Sequence, residues 1–377
     1  MGQTARPVRS LTLYLTALSL LGGVAGAAAV TVRRRGAAPG PAQVLAAVAV
    51  ATVVTFVGML VWPGGTDMFG RIHAMYLGIV VGLPTVGVLL GVTALRRRAG
   101  ATTVALCALL VLPAPLGWYM THIEPNWLRI DHLDVPVDAE RAGSGTVRVA
   151  VLSDLQTTGV GDHERAAVQA VLDADADVIL LPGDLFQVRG DVPEERTAEL
   201  RELLATLHAP FGVYFVQGDV DGPHMAADLL EGTDIELLDD RVVELSVRDR
   251  TVLLGGVSLD VETREAAEVR DRLLAEPDDG AITIALSHRP DDVLHLPPES
   301  RVDLSVAGHT HGGQVVVPGV GPLMTLTEVP RQVARGGLHR VDGNQIYLSP
   351  GVGVERGEAP QLRLFNRPSV AVLEIGA

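Results

Sequence analysis

The 377-residue sequence predicts an α/β domain preceded by four membrane-spanning helices. Three observations carry that expectation. Charge divides sharply along the chain: residues 1–121 hold nine Arg and one acid, Asp67, whereas residues 122–377 hold 21 Arg against 44 Asp and Glu, a formal balance of −23. Long apolar runs are confined to the first part. In the second, short β-rich runs alternate with amphipathic helical ones, the pattern of a sheet covered by helices.

The apolar runs lie at about 10–32, 43–62, 74–95 and 101–120. Each is near the roughly 20 residues that a helix needs to cross a bilayer. Gly22, Gly23, Pro84 and Pro113 are tolerated inside such helices. Trp62, Trp118 and Tyr119 stand at run ends, where amphipathic rings favour the headgroup layer. A cleaved signal peptide fits the first run less well, because its apolar core is too long and three more runs follow. Arg33, Arg34 and Arg35 follow the first run, and Arg96, Arg97 and Arg98 follow the third. The positive-inside bias places both loops in the cytoplasm, and so both termini and the acidic domain outside; Arg6 and Arg9 pull the other way. No expected span holds a charge in its interior, which argues for an anchor rather than a transporter. The chain reads as a multi-pass cell-membrane protein with an extracytoplasmic domain.

Residues 122–145 read as a juxtamembrane segment and linker, leading to a domain at 146–377. This part is long enough to bury a full core. Its acidity argues against a nucleic-acid surface, which needs a basic stripe. The single cysteine, Cys107, permits no intrachain disulfide.

Within the acidic part, a polar residue recurs where an apolar strand ends: Asp154 after VRVAVLS, Asp184 after DVILLPG, Asp219 after GVYFVQG, His288 after AITIALS, and His309 and His311 after VDLSVAG. Strand ends opening into loops are where α/β folds place ligands. Asp and His together match the donors of a divalent-metal cluster. In GHTHGGQ, residues two apart on an extended chain face the same way, so His309 and His311 are expected to share one site. Gly308, Gly312 and Gly313 allow the turns around them. Arg289 reads as a phosphate clamp or as a plain surface charge. His224 reads as a surface residue at a helix start, or as a proton donor. Arg331, Arg335 and His339 are candidates for a substrate mouth. His163, His208 and His295 read as solvated or core residues, Asp162 as a helix N-cap, and Glu164 as part of a solvated face.

Over about 146–376 the chain resembles the calcineurin-like metallophosphoesterase superfamily. The family's DxH, GDxx, GNHD, strand-end His and GHxH stand here, in that order, as SDLQ (153–156), GDLF (183–186), GDVD (218–221), SHRP (287–290) and GHTH (308–311). GHTHGGQ and the tail from YLSPGVG to AVLEI are most similar to the bacterial membrane-associated branch. The resemblance implies a four-layer α/β/β/α sandwich with two divalent metals at the strand ends. It implies one metal on Asp154, Asp184, His311 and position 156, and the other on Asp184 as a bridge, Asp219, His288 and His309. It also implies a phosphoric ester hydrolase in which a hydroxide shared by the metals attacks phosphorus in line. Asp184, Asp219, His288 and Arg289 are then the candidate catalytic group.

Three positions depart from the family pattern. Gln156 stands for a His ligand, Asp219 for an Asn ligand, and Val220 for the His that assists the leaving group. Harder oxygen donors favour Mn²⁺, with Fe, Mg²⁺ and Zn²⁺ as alternatives. The expected function is a membrane-anchored phosphoesterase for a phosphorylated small molecule, lipid or envelope substrate. The alternative is a catalytically impaired, metal-containing membrane receptor for a phosphorylated ligand.

Overall fold

The computed structural model describes residues 8–33, 36–62, 65–137, 145–188, 194–275 and 280–376. The chain forms two compact units, one of residues 1–123 with 355–361, the other of residues 124–354 with 362–377.

The first unit is helical. Helices α1 (Val8–Arg33) and α2 (Pro41–Leu60) are followed by α3 (Met68–Leu77), which continues through a π-helical turn (Gly78–Gly82) into α4 (Leu83–Arg96). Then come α5 (Ala101–Leu109), α6 (Pro113–Trp118) and a second π-helical turn (Tyr119–Ile123). Pro41 lies in the first turn of α2, where a missing N–H forfeits little; Pro84 lies within the continuous run, directly after the π-helical turn. Among the described residues, four helical runs are long and apolar enough to cross a membrane: Leu11–Val32, Pro41–Leu60, Met68–Arg96 and Ala101–Asn126. The third begins earlier than expected, capped by Asp67 accepting from Gly70 N at 2.8 Å, so Arg71 falls in its first turn. Arg97 Nη1 donates to the Ala37 carbonyl at 2.8 Å, so the loops after α1 and α4 lie at one end of this unit. Arg34 and Arg35 are outside the described residues. Glu358, from the 355–361 segment, accepts from Asp67 N at 3.0 Å, and its carbonyl lies 3.1 Å from His73 Nδ1.

The second unit holds β1 (Arg129–Val135), β2 (Val147–Val151), α7 (Asp162–Leu172), β3 (Val178–Leu181), α8 (Glu194–Leu204), β4 (Val213–Phe215), α9 (Pro223–Leu230) and β5 (Ile235–Leu237). It continues with β6 (Arg241–Val247), β7 (Arg250–Gly256), α10 (Arg264–Leu274), β8 (Ile282–Leu286), β9 (Leu304–Ala307), β10 (Val316–Val317), β11 (Gly321–Pro322), β12 (Gly337–Val341), β13 (Asn344–Leu348) and β14 (Ser369–Ile375). One sheet has the order β1-β14-β2-β3-β4-β5 and the other β12-β13-β9-β8-β7-β6; β10 and β11 form a separate hairpin. Strands β2 to β5 run parallel, as do β7, β8, β9 and β13.

The two-residue side-chain period of a strand decides the layers. In β2, Val149 and Val151 enter a core shared with Leu180, Val252, Ile284, Val306 and Leu373, residues of both sheets. Ala150 and Leu152 face the other way, against Val168 of α7 and Leu200 of α8. On the far side, Leu253 and Ala285 pack on Val269 and Leu273 of α10. The result is the four-layer α/β/β/α sandwich that the resemblance implies.

One stretch differs from its expected role. Residues 129–135, read as part of a connector, form β1, paired in parallel with β14 from Arg129↔Ser369 to Val135↔Ile375. Their charged residues suit an edge strand, exposed on one side.

Candidate metal centre

Asp154, Asp184, Asp219, His288, His309 and His311 follow the carboxyl ends of β2, β3, β4, β8 and β9, all parallel strands. The loops are tied across the sheet: Asp154 N donates to Gly183 O at 3.1 Å and Gln156 N to Asp184 O at 2.8 Å. Five of these side chains fall into two groups with donor atoms within 4.8 Å of one another: Asp219, His288 and His309, and Asp154, Asp184 and His288. His288 is common to both, where Asp184 was the expected bridge. His311 Nε2 lies 3.8 Å from Asp154 Oδ1.

The backbone is strained here. Asp154, Gln156, Asp184, His309 and His311 all have positive φ, between 39° and 74°. Such conformations cost about 1–3 kcal/mol each and persist where surroundings fix them. They also correct the reason given for the paired histidines. The GHTH segment is not extended: His309 has φ 74° and His311 opens a 3₁₀ turn. A left-handed turn, not strand alternation, brings both imidazoles to the site. Gly351 backs them with φ 70°, and a Cβ there would lie 2.8 Å from Asp154 Cβ and 3.3 Å from His311 Nδ1.

Electrostatics are set by burial and proximity. Burial, with the neighbouring Asp184 charge, pushes Asp154 up to about 6, despite His288 nearby and hydrogen bonds from Ser153 and the His309 backbone. Burial alone would lower His288, but Asp184, Asp219 and Asp154 raise it to about 10. Its Nδ1 donates to Pro182 O at 2.7 Å, and its Nε2 faces Asp219 Oδ2 at 3.4 Å and Asp184 Oδ2 at 3.6 Å. Burial opposes ionisation of Asp219, yet hydrogen bonds from His288, His309 and Arg289 hold it well below the carboxylate range. His309 Nδ1 lies 2.8 Å from Asp219 Oδ2. Arg289 Nη2 is engaged with the same carboxylate, so it meets Asp219 here rather than standing clear as a phosphate clamp.

The donor set fits divalent cations. Three carboxylates converge with three imidazoles, and His288 Nε2 lies between the Asp219 and Asp184 carboxylates. His311 is buried, with neither ring nitrogen in a well-formed hydrogen bond and with the Gly353 backbone and Asp154 as polar neighbours. Burial first, then the Arg363 charge, keep its pKa well below the ordinary value, so it is a neutral imidazole with a lone pair. A buried polar atom left unsatisfied is uncommon, and a cation held beside Asp154 would satisfy this one. Gln156 reaches the group through its amide, whose Nε2 donates to Asp184 Oδ2 at 3.3 Å.

Sequence reading missed the supports. Asp221, the last residue of GDVD, is buried and accepts from Asp184 N, Leu185 N and Gly218 N; burial and the Asp184 charge push it up to about 6. Its place in the quoted motif was the available signal. Arg363 is fully buried and donates to the carbonyls of His311, Pro350, Gly351, Gly353 and Asn366, pulled down to about 10 by burial. Asn366 Nδ2 donates to Gly312 O at 2.7 Å. His163 Nε2 contacts Val352 O at 3.0 Å, on the loop behind the site. Gly161, not Asp162, is the N-cap of α7; Glu164 is buried, binding Gly161 N and Thr157 Oγ1 instead of lining a solvated face. His224, Arg331 and Arg335 are exposed, and His339 contacts Gly336 O in its own turn.

Residues 147–313 match the family model described as calcineurin-like phosphoesterase. Residues 147–313 thus carry a calcineurin-like phosphoesterase domain. The chain is 24% identical over 272 residues to the uncharacterized metallophosphoesterase YkuE of Bacillus subtilis, covering 68% of this chain and 88% of the relative. It is 27% identical over 269 residues to an uncharacterized metallophosphoesterase of Aquifex aeolicus (69% and 96% covered). It is also 27% identical over 272 residues to the phosphodiesterase YaeI of Escherichia coli (68% and 92% covered). The phosphoesterase domain is thus that of a metal-dependent enzyme acting on phosphate esters, and its metal-ligand candidates lie at the strand ends.

Proposed function

We propose that the chain is a membrane-anchored phosphoesterase that holds two divalent cations and acts on phosphorylated lipid or envelope material. The observation that carries the reading is the convergence of Asp154, Asp184, Asp219, His288, His309 and His311, with His311 buried and neither of its ring nitrogens in a well-formed hydrogen bond. Asp154, Asp184 and His311 would hold one cation; Asp184, Asp219, His288 and His309 the other. Mn²⁺ suits this oxygen-rich set best, with Fe, Mg²⁺ and Zn²⁺ as competitors. Bound there, two cations supply Lewis acidity toward phosphoryl oxygens and lower the pKa of water.

The side chains do the rest. Val220 N donates to Asp184 Oδ1 at 3.0 Å, and Asp221 fixes the Asp184 backbone, so the central carboxylate is held before any cation arrives. To serve as a ligand His288 would have to be neutral, its proton passing to solvent. Arg289, released from Asp219, can turn to a phosphate oxygen. The four apolar runs favour an amphiphilic substrate, since an anchor keeps the site where such molecules concentrate. With both Arg-rich loops in the cytoplasm, the domain is extracytoplasmic.

A membrane receptor that keeps the cations to bind a phosphorylated ligand is the second reading. Val220, which has no proton to give, favours it. Purified full-length protein with Mn²⁺ separates the two on aryl phosphate mono- and diesters and a panel of phosphorylated lipids. Metal-dependent turnover is expected; ligand binding without turnover on any member establishes the receptor.

A further inference from the structure

We infer that an exposed face beside the metal loop, made by the β10–β11 hairpin and the Phe365 turn, docks on the headgroup layer of an anionic phospholipid bilayer. This deepens the lipid reading above, and only the activity arm of its test rests on that reading.

The face is apolar at its tips. Val320, Leu323 and Leu326 are 58%, 56% and 54% exposed within seven residues, and Phe365 is 56% exposed. Phe365 belongs to the same surface: its neighbour Leu364 accepts from Val316 N and donates to Gln314 O, both at 2.9 Å, at the hairpin base. The lip also touches the centre, because the Leu326 carbonyl lies 3.2 Å from His309 Nε2.

Arg331 and Arg335 stand exposed beside the hairpin, where residues 314–336 hold one acid, Glu328; Asp291 is held against the same stretch by Thr327 Oγ1 and Glu328 N. The Arg331 stem lies against the hairpin, 3.7 Å from where a Cβ on Gly321 would stand. Exposed Trp127 stacks under Arg367 at 4.1 Å. Apolar tips interleaved with Arg and Trp match a headgroup layer, and anionic lipid attracts such cations while repelling the rest of the domain.

Chain position points the same way. Glu124, near the end of the apolar run Ala101–Asn126, is buried and accepts from Asn366 N at 2.7 Å. Asn366 in turn holds Gly312 of the metal loop. Two hydrogen bonds therefore link Glu124 through Asn366 to the GHTHGG turn, with Trp127 and Phe365 close to them in the chain. A second copy of the chain is a poorer occupant, because two strongly acidic domains repel.

The test uses the full chain in vesicles of phosphatidylcholine with roughly 30% phosphatidylglycerol. A spin label on Leu323→Cys, in a Cys107→Ser background, should collide more with oxygen than with a water-soluble nickel chelate. A label on Glu265→Cys, exposed on α10, should do the reverse. If the Leu323 label behaves like the Glu265 label, or shows the dipolar broadening of a second copy, the docking proposal is overturned. In the activity arm, Val320→Glu with Leu323→Glu should cut turnover of a vesicle-borne phosphoester about tenfold and leave a soluble aryl phosphate unchanged; equal loss on both also overturns it. Where wild-type protein turns over neither substrate, the proposed function fails and the label result still decides the docking.

Discussion

Gln156 donates its side-chain amide to the Asp184 carboxylate across 3.3 Å. The residue at the family's His position thus holds the central carboxylate without offering an imidazole lone pair. Removing it should loosen Asp184 and remove a neutral oxygen from the first cation's surroundings. Gln156→Ala is expected to weaken the cation proposed on Asp154, Asp184 and His311 about 10- to 100-fold, and Gln156→His to strengthen its retention. Metal titration of the three proteins checks this. Unchanged affinity and turnover in Gln156→Ala make the residue a bystander.

Asp184 is approached by Gln156 Nε2 at 3.3 Å, His288 Nε2 at 3.6 Å and Val220 N at 3.0 Å. In the proposed arrangement this carboxylate would serve both cations, so Asp184→Ala should lose most of the bound metal. Elemental analysis of the purified variant decides it, and wild-type content would remove Asp184 from the ligand set.

Protons compete for the same atoms. Asp154 titrates near 6 and His288 near 10 in the metal-free fold. Both values are raised, so each group's contribution to stability is full below its ordinary pKa and is lost as pH rises through the shifted one. Cation binding needs the carboxylate and the neutral imidazole. At pH 7 binding should therefore displace the His288 proton, and at pH 5 about one more, from Asp154. Calorimetry in buffers of different ionisation enthalpy counts them. Equal proton release at the two pH values would contradict the assignment.

Much of the site was legible because strand ends announce themselves. VRVAVLSD and VDLSVAGH pass from continuous apolar residues to a ligand type, and the parallel strands then carry Asp154 and His309 to one edge. The positive φ of Asp154, Gln156, Asp184, His309 and His311 was not legible, since tertiary contacts impose it against local preference. Nor were Arg363 and Asp221: a charged residue in a sequence reads as surface, and only the converging carbonyls of the 350–353 loop, or the backbone N–H groups around Asp184, reveal it as buried. Residues 129–135 read as connector because an edge strand with alternating charges lacks the apolar run of a central one.

Away from the site, Arg270 and Asp292 form a buried pair at 2.6 Å, with side chains 8% and 1% exposed. Burial raises the Asp292 pKa even against the Arg270 charge. Removing one partner strands the other, so Asp292→Ala should destabilise the domain by about 3–5 kcal/mol. Denaturant unfolding of the full chain tests it, and a loss under about 1 kcal/mol would mean that Arg270 reaches water.

Val220 bears most directly on catalysis. Its backbone N–H holds Asp184 Oδ1 at 3.0 Å, a contact that any residue except proline preserves, so the side chain can change without releasing the carboxylate. Valine offers the departing oxygen no proton, whereas a positioned acid is worth roughly 10²–10⁴ in rate. Asp219 beside it adds negative charge, which lessens attraction for a phosphate and raises the pKa of nearby water. The wild type should therefore favour esters with good leaving groups, such as nitrophenolate, which need little acid assistance. Val220→His should speed alkyl phosphoesters at least about tenfold while changing nitrophenyl esters little, steepening no metal requirement. A plot of log kcat/KM against leaving-group pKa reads the effect as a shallower slope in the variant. Parallel lines for the two proteins would mean that leaving-group protonation comes from elsewhere, with His224, exposed at the start of α9, the next residue to replace.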